Sequence, residues 1–260
     1  MIRIEKDLDE LPDSLFIPSG EENEKIPIVC KKTVQRRKEL ILNKGYLDTQ
    51  VYNSRYKMAD IKEKLKEIYN GKCAFCEQKV ELLHVEHYRP KTIYYWLAYS
   101  WDNLLLSCPF CNVYKSTHFD VVEKIISSPS KIDLNNIHTL AARYNQIERP
   151  LLLHPELEET THLLDFKKDG SIKSSNNRMQ YTIDTCKLDR KYLRDKRKKV
   201  LDKILEITED IQFYEQNGHE SRKMEKLETI INEAFNPNED FLALRQFAIN
   251  NWLPDMLSPF

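Results

Sequence analysis

Four of the six cysteines form two Cys-x-x-Cys pairs, Cys73 with Cys76 and Cys108 with Cys111. Each pair places two sulfur ligands at one tight turn, and two pairs complete the tetrahedral thiolate site that zinc prefers. Residues 77–107 separate the pairs, a longer interval than in a simple zinc ribbon, so further structure is expected inside it. We therefore predict a structural zinc site built around an inserted segment.

The inserted segment and the residues after it contain the parts of a phosphodiester-cleaving centre. His87 can act as a general base, because a neutral imidazole accepts a proton near physiological pH. Glu86 offers a carboxylate suited to Mg²⁺ or Mn²⁺, and Asn112 offers an amide oxygen. Asn103 is placed to hydrogen-bond the backbone around His87. A base, a divalent cation and a rigid scaffold are what this hydrolysis requires.

These residues resemble the HNH, or ββα-metal, nuclease motif. The positions that carry the resemblance are Glu86, His87, Pro90, Asn103, Cys108-Pro109-Phe110-Cys111-Asn112 and Lys115. It implies that Glu86 and Asn112 hold the catalytic cation, that His87 is the base and that Asn103 is structural. Two positions depart from the common pattern: Glu86 stands where Asp is commoner, and Asn112 where many members have His. Glu is one methylene longer, so the cation is expected to sit slightly differently or to be reached through water.

Longer segments resemble the PtuB-type HNH nucleases in particular. They are residues 72–77, 85–91, 101–104, 149–155 and 166–172. Such nucleases are effectors of Septu and certain retron antiphage systems, where they work beside an ABC/SMC-like ATPase, PtuA. The resemblance implies invader-triggered cleavage of nucleic acid, with DNA favoured, and a PtuA-like partner.

Several basic side chains near the motif are candidates for binding the nucleic-acid backbone. Arg89 and Lys91 flank the base, and Lys115 and His118 lie one and two turns past Asn112. Residues 187–199 hold eight basic and two acidic side chains. That run is interpreted either as a solvated helix face or as a phosphate-binding surface.

Composition and patterning predict an α+β fold, a mostly helical chain that encloses a zinc-stapled ββα-metal core. With 40 basic and 41 acidic residues, no overall field attracts a polyanion, so a local patch must do so. We predict three segments: an N-terminal extension (1–60), the HNH core with its four-cysteine zinc site (61–122), and a region that is mixed and then helical (123–260). The N-terminus lacks a signal-peptide pattern and no stretch is long and apolar enough to span a bilayer, which favours a cytoplasmic protein with no membrane contact.

Local patterns predict the individual elements. Helices are expected at 33–44, 58–69 and 112–119, and from about residue 184 onward with a break at 216–218. A short leading strand is expected within 1–30, a strand or hairpin at 79–89, an irregular loop ending in a strand at 93–106, and only loops and short strands at 127–175. The apolar stripe at 200–214 is interpreted as a core face or a partner-docking face.

Two alternatives to a DNA nuclease stay open at this stage. One is a noncatalytic zinc module that binds nucleic acid or a partner protein. The other keeps the nuclease chemistry but directs it to RNA or tRNA, because the chemistry attacks phosphate and does not require a 2′-hydroxyl.

Overall fold

The chain is mainly helical, with two small antiparallel sheets, in a computed structural model that describes residues 1–16 and 28–253. The α-helices of these residues are α1 (Ile28–Asn43), α2 (Gln50–Asn53), α3 (Ala59–Ile68), α4 (Pro109–Lys115), α5 (Lys131–Asn135), α6 (Ala141–Glu148), α7 (Asn177–Thr185), α8 (Lys191–Gln216), α9 (Glu220–Phe235) and α10 (Leu242–Asn251). The strands are β1 (His84–His87), β2 (Leu104–Ser107), β3 (Asp165–Phe166) and β4 (Ile172–Lys173). The predicted mixture of helix and sheet is confirmed; its HNH identity and its three-segment division stay predictions.

Strands β1 and β2 form the sheet that carries the candidate site. They pair in antiparallel register, with Glu86 opposite Leu105 and His87 opposite Leu104. Helix α4 follows β2 almost directly, because Cys108 caps it and Pro109 occupies its first turn. Proline suits that position, since its missing N–H would have no partner within the helix. The chain therefore folds locally as strand, strand, helix.

The 88–103 connection between β1 and β2 is irregular but buried. It contains two 3₁₀ turns, Tyr95–Leu97 and Trp101–Asn103. Its aromatic rings pack into the core, with Trp96 and Trp101 fully buried. The indole of Trp96 donates a hydrogen bond to the Tyr144 hydroxyl at 3.2 Å. Aromatic packing, rather than a longer strand ladder, therefore holds this connection in place.

The predicted helices at 33–44, 58–69 and beyond 184 are present, whereas the helix predicted at 112–119 runs instead from Pro109 to Lys115. Two further expectations also differ from the structure. Residues 1–16 form no strand. A strand needs a ladder of backbone hydrogen bonds, but here the Ile4 N–H donates to the Pro155 carbonyl oxygen and Lys6 is held by its side chain, which donates to the Leu104 carbonyl oxygen. Residues 17–27, also within the predicted irregular region, lie outside the described residues. Residues 127–175 contain helices α5 and α6 besides the expected short strands. Helix α5 begins with a capping box of Ser130 and Asp133, which is the local sequence signal for the start of this helix.

The C-terminal helices cover the predicted apolar stripe. Ile204 and Ile211 of α8 are buried, and α8 packs against both α9 and α10. The stripe is therefore a core face. The turn between β3 and β4 also contacts α8 closely: a Cβ on Gly170, whose φ is +81°, would lie 2.3 Å from the Arg194 carbonyl oxygen. Within 1–16 and 28–253, no helix combines the length and apolar character needed to cross a bilayer.

Candidate active site and cysteine cluster

The two Cys-x-x-Cys pairs meet in one buried cluster. Their four sulfur atoms all lie within 4.8 Å of one another, and all four cysteines are free. The Sγ atoms of Cys76 and Cys108 are 3.9 Å apart. Sulfurs around a tetrahedral zinc would be separated by about 3.8 Å, given a Zn–S distance of about 2.3 Å. The cluster is therefore compatible with zinc, and these residues are the ones that would hold it.

The first cysteine pair is attached to β2 by backbone hydrogen bonds. Residues 70–71 both have positive φ and turn the chain out of α3 into the pair. The Glu77 N–H donates to the Cys73 carbonyl oxygen at 3.0 Å, which closes the turn. The Ala74 N–H donates to the Leu106 carbonyl oxygen at 2.8 Å. The second pair begins α4, so the cluster ties the first pair to both β2 and α4.

Arg190 places a positive charge on the cluster, and sequence reasoning did not find this role. Its guanidinium nitrogens lie 3.6 Å from Cys111 Sγ and 3.9 Å from Cys108 Sγ. Hydrogen bonds from the neighbouring cysteines, Cys111 first, hold the pKa of Cys108 well below its usual value. Four thiolates around Zn²⁺ carry a net charge of about −2, which a guanidinium partly neutralises. The sequence showed Arg190 only as one member of a basic run.

Glu86 and Asn112, the two predicted cation ligands, lie side by side. The Asn112 amide donates a short hydrogen bond to Glu86 Oε2, and Lys115 Nζ donates to Glu86 Oε1 at 2.9 Å. Lys115 Nζ also donates to the His87 carbonyl oxygen at 2.7 Å, and Lys115 is fully buried. Burial raises the pKa of Glu86, while Lys115 opposes that rise. Helix α4 therefore closes over the end of β1 through this carboxylate.

The donor atoms at Glu86 and Asn112 fit a hard divalent cation. Mg²⁺ usually keeps several waters and takes only one or two carboxylate oxygens from the protein, together with substrate phosphate. Glu86 supplies a carboxylate oxygen of this kind. Rotation of the Asn112 amide by 180° exchanges its nitrogen for its oxygen, which makes it a second ligand. These are the residues that would hold the cation.

His87 is held in one tautomer. Its Nε2 lies 2.9 Å from the Ala98 carbonyl oxygen. Because a carbonyl only accepts hydrogen bonds, Nε2 carries the hydrogen and Nδ1 keeps a free lone pair. Burial lowers the pKa of His87 to about 3, so the ring is neutral at physiological pH. The Tyr56 ring packs edge-on against the imidazole with centroids 4.5 Å apart. The ring is thus a neutral proton acceptor of fixed orientation.

Asn103 fastens the chain immediately after His87. Its Oδ1 accepts from the Arg89 N–H at 2.8 Å, and its Nδ2 donates to the Arg89 and Leu97 carbonyl oxygens at 3.1 and 3.2 Å. Its own carbonyl oxygen accepts from the Tyr88 N–H at 2.9 Å. Asn103 thus has the backbone contacts that its predicted orienting role needs, and the effect of those contacts on catalysis stays a prediction.

Arg89 lies in the interior rather than beside the site opening. Its Nε donates to Glu148 Oε2 at 2.9 Å, and its Nη2 donates to Asn145 Oδ1 at 2.7 Å. It is only 1% exposed and its guanidinium lies among the rings of aromatic side chains. The ion pair with Glu148 uses the charge that was expected to hold a polyanion. We therefore leave Arg89 out of the proposed substrate site.

Lys91 and His118 are the predicted substrate-binding residues that solvent reaches. Lys91 Nζ lies 3.9 Å from the centre of the Tyr46 ring and 3.5 Å from an Asp48 carboxylate oxygen. His118 is exposed just beyond α4, and its Nδ1 is 3.0 Å from the Lys115 carbonyl oxygen. Both stay candidates for contacting phosphate. Lys115 was predicted to contact phosphate, but in this structure its ammonium forms an ion pair with Glu86.

Part of the basic run at 187–199 is already paired. Lys191 forms an ion pair with Asp195 at 2.6 Å, and Lys198 pairs with Asp202 at 2.7 Å. Arg197 is buried and donates to the Leu188 carbonyl oxygen. These contacts favour the solvated helix face over a dedicated phosphate-binding surface.

The site and fold therefore define a chain in which a strand–strand–helix unit is joined to a four-cysteine, zinc-compatible cluster. No protein-family profile matches the chain. It is, however, similar to proteins named Septu protein PtuB. One, from Bacillus mycoides (strain KBAB4), is 32% identical over 172 residues, which is 59% of this chain and 55% of that protein. Another, from Bacillus thuringiensis, is 40% identical over 81 residues, 30% of this chain and 32% of that protein.

A protein named Septu protein PtuA, from Bacillus mycoides (strain KBAB4), is also similar to the chain. It is 28% identical over 167 residues, 58% of this chain but 22% of that protein. The chain spans about half the length of the first PtuB relative. The resemblance to PtuB proteins predicted from the sequence is confirmed over the shared parts.

Proposed function

We propose that this protein is a metal-dependent HNH endonuclease that hydrolyses phosphodiester bonds in nucleic acid, with DNA favoured. In this proposal it acts as the effector of an antiphage defence system, beside a PtuA-like ATPase of the ABC/SMC type. Zinc at the four cysteines is structural, and Mg²⁺ or Mn²⁺ is the catalytic cation. The proposal accounts for the similarity to the PtuB and PtuA relatives together with the chemistry of the site.

One observation carries the proposal: the Glu86 carboxylate contacts the Asn112 amide where α4 packs on β1, and His87 follows Glu86 on the same strand. Glu86 contacts Asn112 directly, and the next residue is a histidine with its Nδ1 lone pair unused by Ala98. A module that only bound zinc would need neither a buried carboxylate nor a tautomer-locked imidazole. Burying both groups costs folding free energy, which favours a function for them.

His87 is the general base in the proposed reaction. Its Nδ1 accepts a proton from the attacking water, while the Nε2–H stays on the Ala98 carbonyl oxygen. A pKa of about 3 makes the buried ring a weak base without substrate. The negative charge of a bound phosphate opposes this effect, because it favours the protonated ring.

The remaining residues position the substrate and the base. When bound at Glu86 and Asn112, the divalent cation neutralises charge on the phosphate and on the leaving oxygen. Asn103 keeps the backbone after His87 in place through its bonds to Arg89. Lys91 and His118 lie near enough to solvent to contact the flanking phosphates. Such contacts bind the backbone without reading base sequence.

The defence role rests on the relatives rather than on the geometry. The chain is similar to parts of two proteins named Septu protein PtuB and of one named Septu protein PtuA. A partner ATPase would supply the trigger that a freely active nuclease in a cell must have. In this view the ATPase senses the invader and the present chain cuts.

A cleavage assay tests the proposal. Zinc-loaded protein is incubated with plasmid DNA and with total RNA, in Mg²⁺ or Mn²⁺, with and without the PtuA-like ATPase. We expect cut DNA that disappears in Glu86→Gln but not in Glu81→Gln, an exposed acid before β1. Cut RNA alone would transfer the activity to RNA. No product under any condition would contradict the nuclease and favour the noncatalytic module.

A further inference from the structure

We propose that Lys115 keeps the cation site at Glu86 and Asn112 electrically neutral, so that a divalent cation binds there together with a nucleic-acid phosphate and only weakly without it. This inference rests on the proposed nuclease function. It makes Lys115 a positioning residue that couples metal and substrate.

The contacts of Lys115 show that its ammonium is built into the site. Nζ donates to Glu86 Oε1 at 2.9 Å and to the His87 carbonyl oxygen at 2.7 Å. The Lys115 side chain has no exposed surface and that of Glu86 is 9% exposed. Lys115 therefore holds the carboxylate and the backbone of the proposed base at once. Moving this lysine out to solvent would break both hydrogen bonds.

The charge of the site follows from these contacts. Glu86 contributes one negative charge, Lys115 one positive charge, and Asn112 none. Lys91 is likewise paired, with Asp48 at 3.5 Å. A dication entering this site therefore meets an ion pair rather than an unpaired carboxylate. Mg²⁺ is usually bound through one or two carboxylates, with waters and substrate phosphate completing its ligand set.

A phosphate supplies the missing charge. Its oxygens offer the cation further hard ligands and also balance the ammonium of Lys115. Because linkage is reciprocal, a cation that binds better with phosphate present also tightens phosphate binding by the same factor. Lys115 donates to Oε1 of Glu86, so Oε2 is the oxygen left for the cation once the Asn112 amide, which now donates to it, has rotated. The site would thus assemble on the substrate and stay empty of Mg²⁺ without it.

Metal binding, measured apart from cleavage, tests this coupling. The zinc-loaded chain carries His87→Ala in every sample, so that a short DNA duplex is not cut. Free Mn²⁺ is followed by electron paramagnetic resonance during titration, with and without the duplex, and the binding of Mn²⁺ by duplex alone is subtracted. Three proteins are compared: Lys115 intact, Lys115→Gln, and Lys57→Gln, which removes an exposed nearby charge that does not contact Glu86.

We expect the duplex to tighten Mn²⁺ binding by at least about tenfold when Lys115 is present. Lys115→Gln should bind Mn²⁺ at least about tenfold more tightly without duplex and gain little when duplex is added. Lys57→Gln should resemble the protein with Lys115 intact. Damage to the fold would weaken metal binding, so a gain of affinity cannot come from a purely structural effect.

Equal Mn²⁺ affinity with and without duplex in the Lys115 protein would overturn the proposal, as would unchanged affinity in Lys115→Gln. Lys115→Met gives a second neutral variant if the Gln form does not fold, and the measurement on intact Lys115 decides the coupling in either case. Cleavage by the wild-type chain, run in parallel, separates the two ideas. Cleavage without coupling overturns only the role of Lys115, whereas no cleavage by wild type overturns the nuclease and this proposal with it.

Discussion

The Nε2 of His87 and the carbonyl oxygen of Ala98 lie 2.9 Å apart, and this contact decides which nitrogen of the ring is free. Nε2 must donate to the carbonyl, so Nδ1 is left to accept a proton. Ala98 is fully buried in the aromatic connection between β1 and β2. The irregular connection therefore orients the proposed base, in addition to joining two strands.

Replacing one cluster cysteine tests the zinc site. Cys108→Ser should lose zinc and lower the melting temperature sharply, because Cys108 is both a ligand and the N-cap of α4. Zinc content by elemental analysis and thermal unfolding measure the two effects. The control is Cys30→Ser, a buried cysteine outside the cluster whose thiol donates to the Asp13 carbonyl oxygen. A Cys108→Ser protein that is zinc-free yet normally stable would refute the structural role.

Removing the charge of Arg190 should weaken the hold on zinc without removing a ligand. In a competition with a chelator, we expect Arg190→Gln to bind zinc about tenfold more weakly than wild type. Tenfold is the lower end of the range for side chains that contact metal ligands. The physical reason is the lost balance of thiolate charge at Cys108 and Cys111. Lys191→Gln, the exposed neighbour, should match wild type. Equal zinc affinity in both variants would argue against the charge contact.

Asn103→Ala should lower both stability and cleavage. The variant leaves the buried N–H and carbonyl of Arg89 without their partner, at a cost of about 1–3 kcal/mol per unsatisfied group. Urea unfolding measures the change in the free energy of unfolding, and a folded fraction can be assayed for cutting. Asn136→Ala, which removes one exposed side-chain bond, is the control. Unchanged cleavage by folded Asn103→Ala would contradict the orienting role.

Because it contains buried histidines, the protein should lose free energy of unfolding in mild acid. Burial lowers the pKa of His138 to about 3, whereas an unfolded histidine titrates near 6.5. Below about pH 6.5 the unfolded state binds the proton and the folded state does not, so stability falls as pH falls. The slope is about 1.4 kcal/mol per pH unit for each such group until the folded pKa is reached.

His138→Gln isolates one of these contributions. Urea unfolding of this variant and of wild type at several pH values between 7 and about 4.5 should show a shallower loss for the variant. Comparing the two proteins cancels any acid release of zinc that they share. Identical slopes would mean that the pKa of His138 is the same in the folded and unfolded states, which would contradict this prediction. In wild type the backbone N–H of Trp101 donates to His138 Nδ1 at 3.0 Å. In His138→Gln the side-chain amide oxygen is an uncharged acceptor for this N–H.

The sequence was sufficient where the interactions are local. The spacing of Cys73 and Cys76 indicated one half of the cluster, and the order of Glu86, Asn103 and Asn112 indicated the strand–strand–helix unit. Ligand spacing and turn chemistry act over a few residues, so one chain is enough to recognise them. The helices with clear apolar periodicity were recognised for the same reason.

The missed features depend on contacts between distant segments. Arg190 reaches the cluster from the start of α8, 79 residues beyond Cys111, and nothing in its neighbourhood distinguishes it from the other basic residues. Arg89 was assigned to substrate, but tertiary packing pairs it with Glu148. Lys115 was predicted to contact phosphate, and its ion pair with Glu86 follows only from the packing of α4 on β1.

The cleavage rate of His87→Ala shows whether His87 is the general base of a nuclease. Wild type, His87→Ala and His138→Gln, which loses a different buried histidine, are assayed together on plasmid DNA with Mg²⁺ and with Mn²⁺, in the presence of the PtuA-like ATPase. We expect wild type and His138→Gln to cut, while His87→Ala keeps its zinc and fold but is slower by at least about 10²-fold, the usual contribution of a general base. Cleavage by folded His87→Ala at the wild-type rate would refute the assignment of His87 as the base.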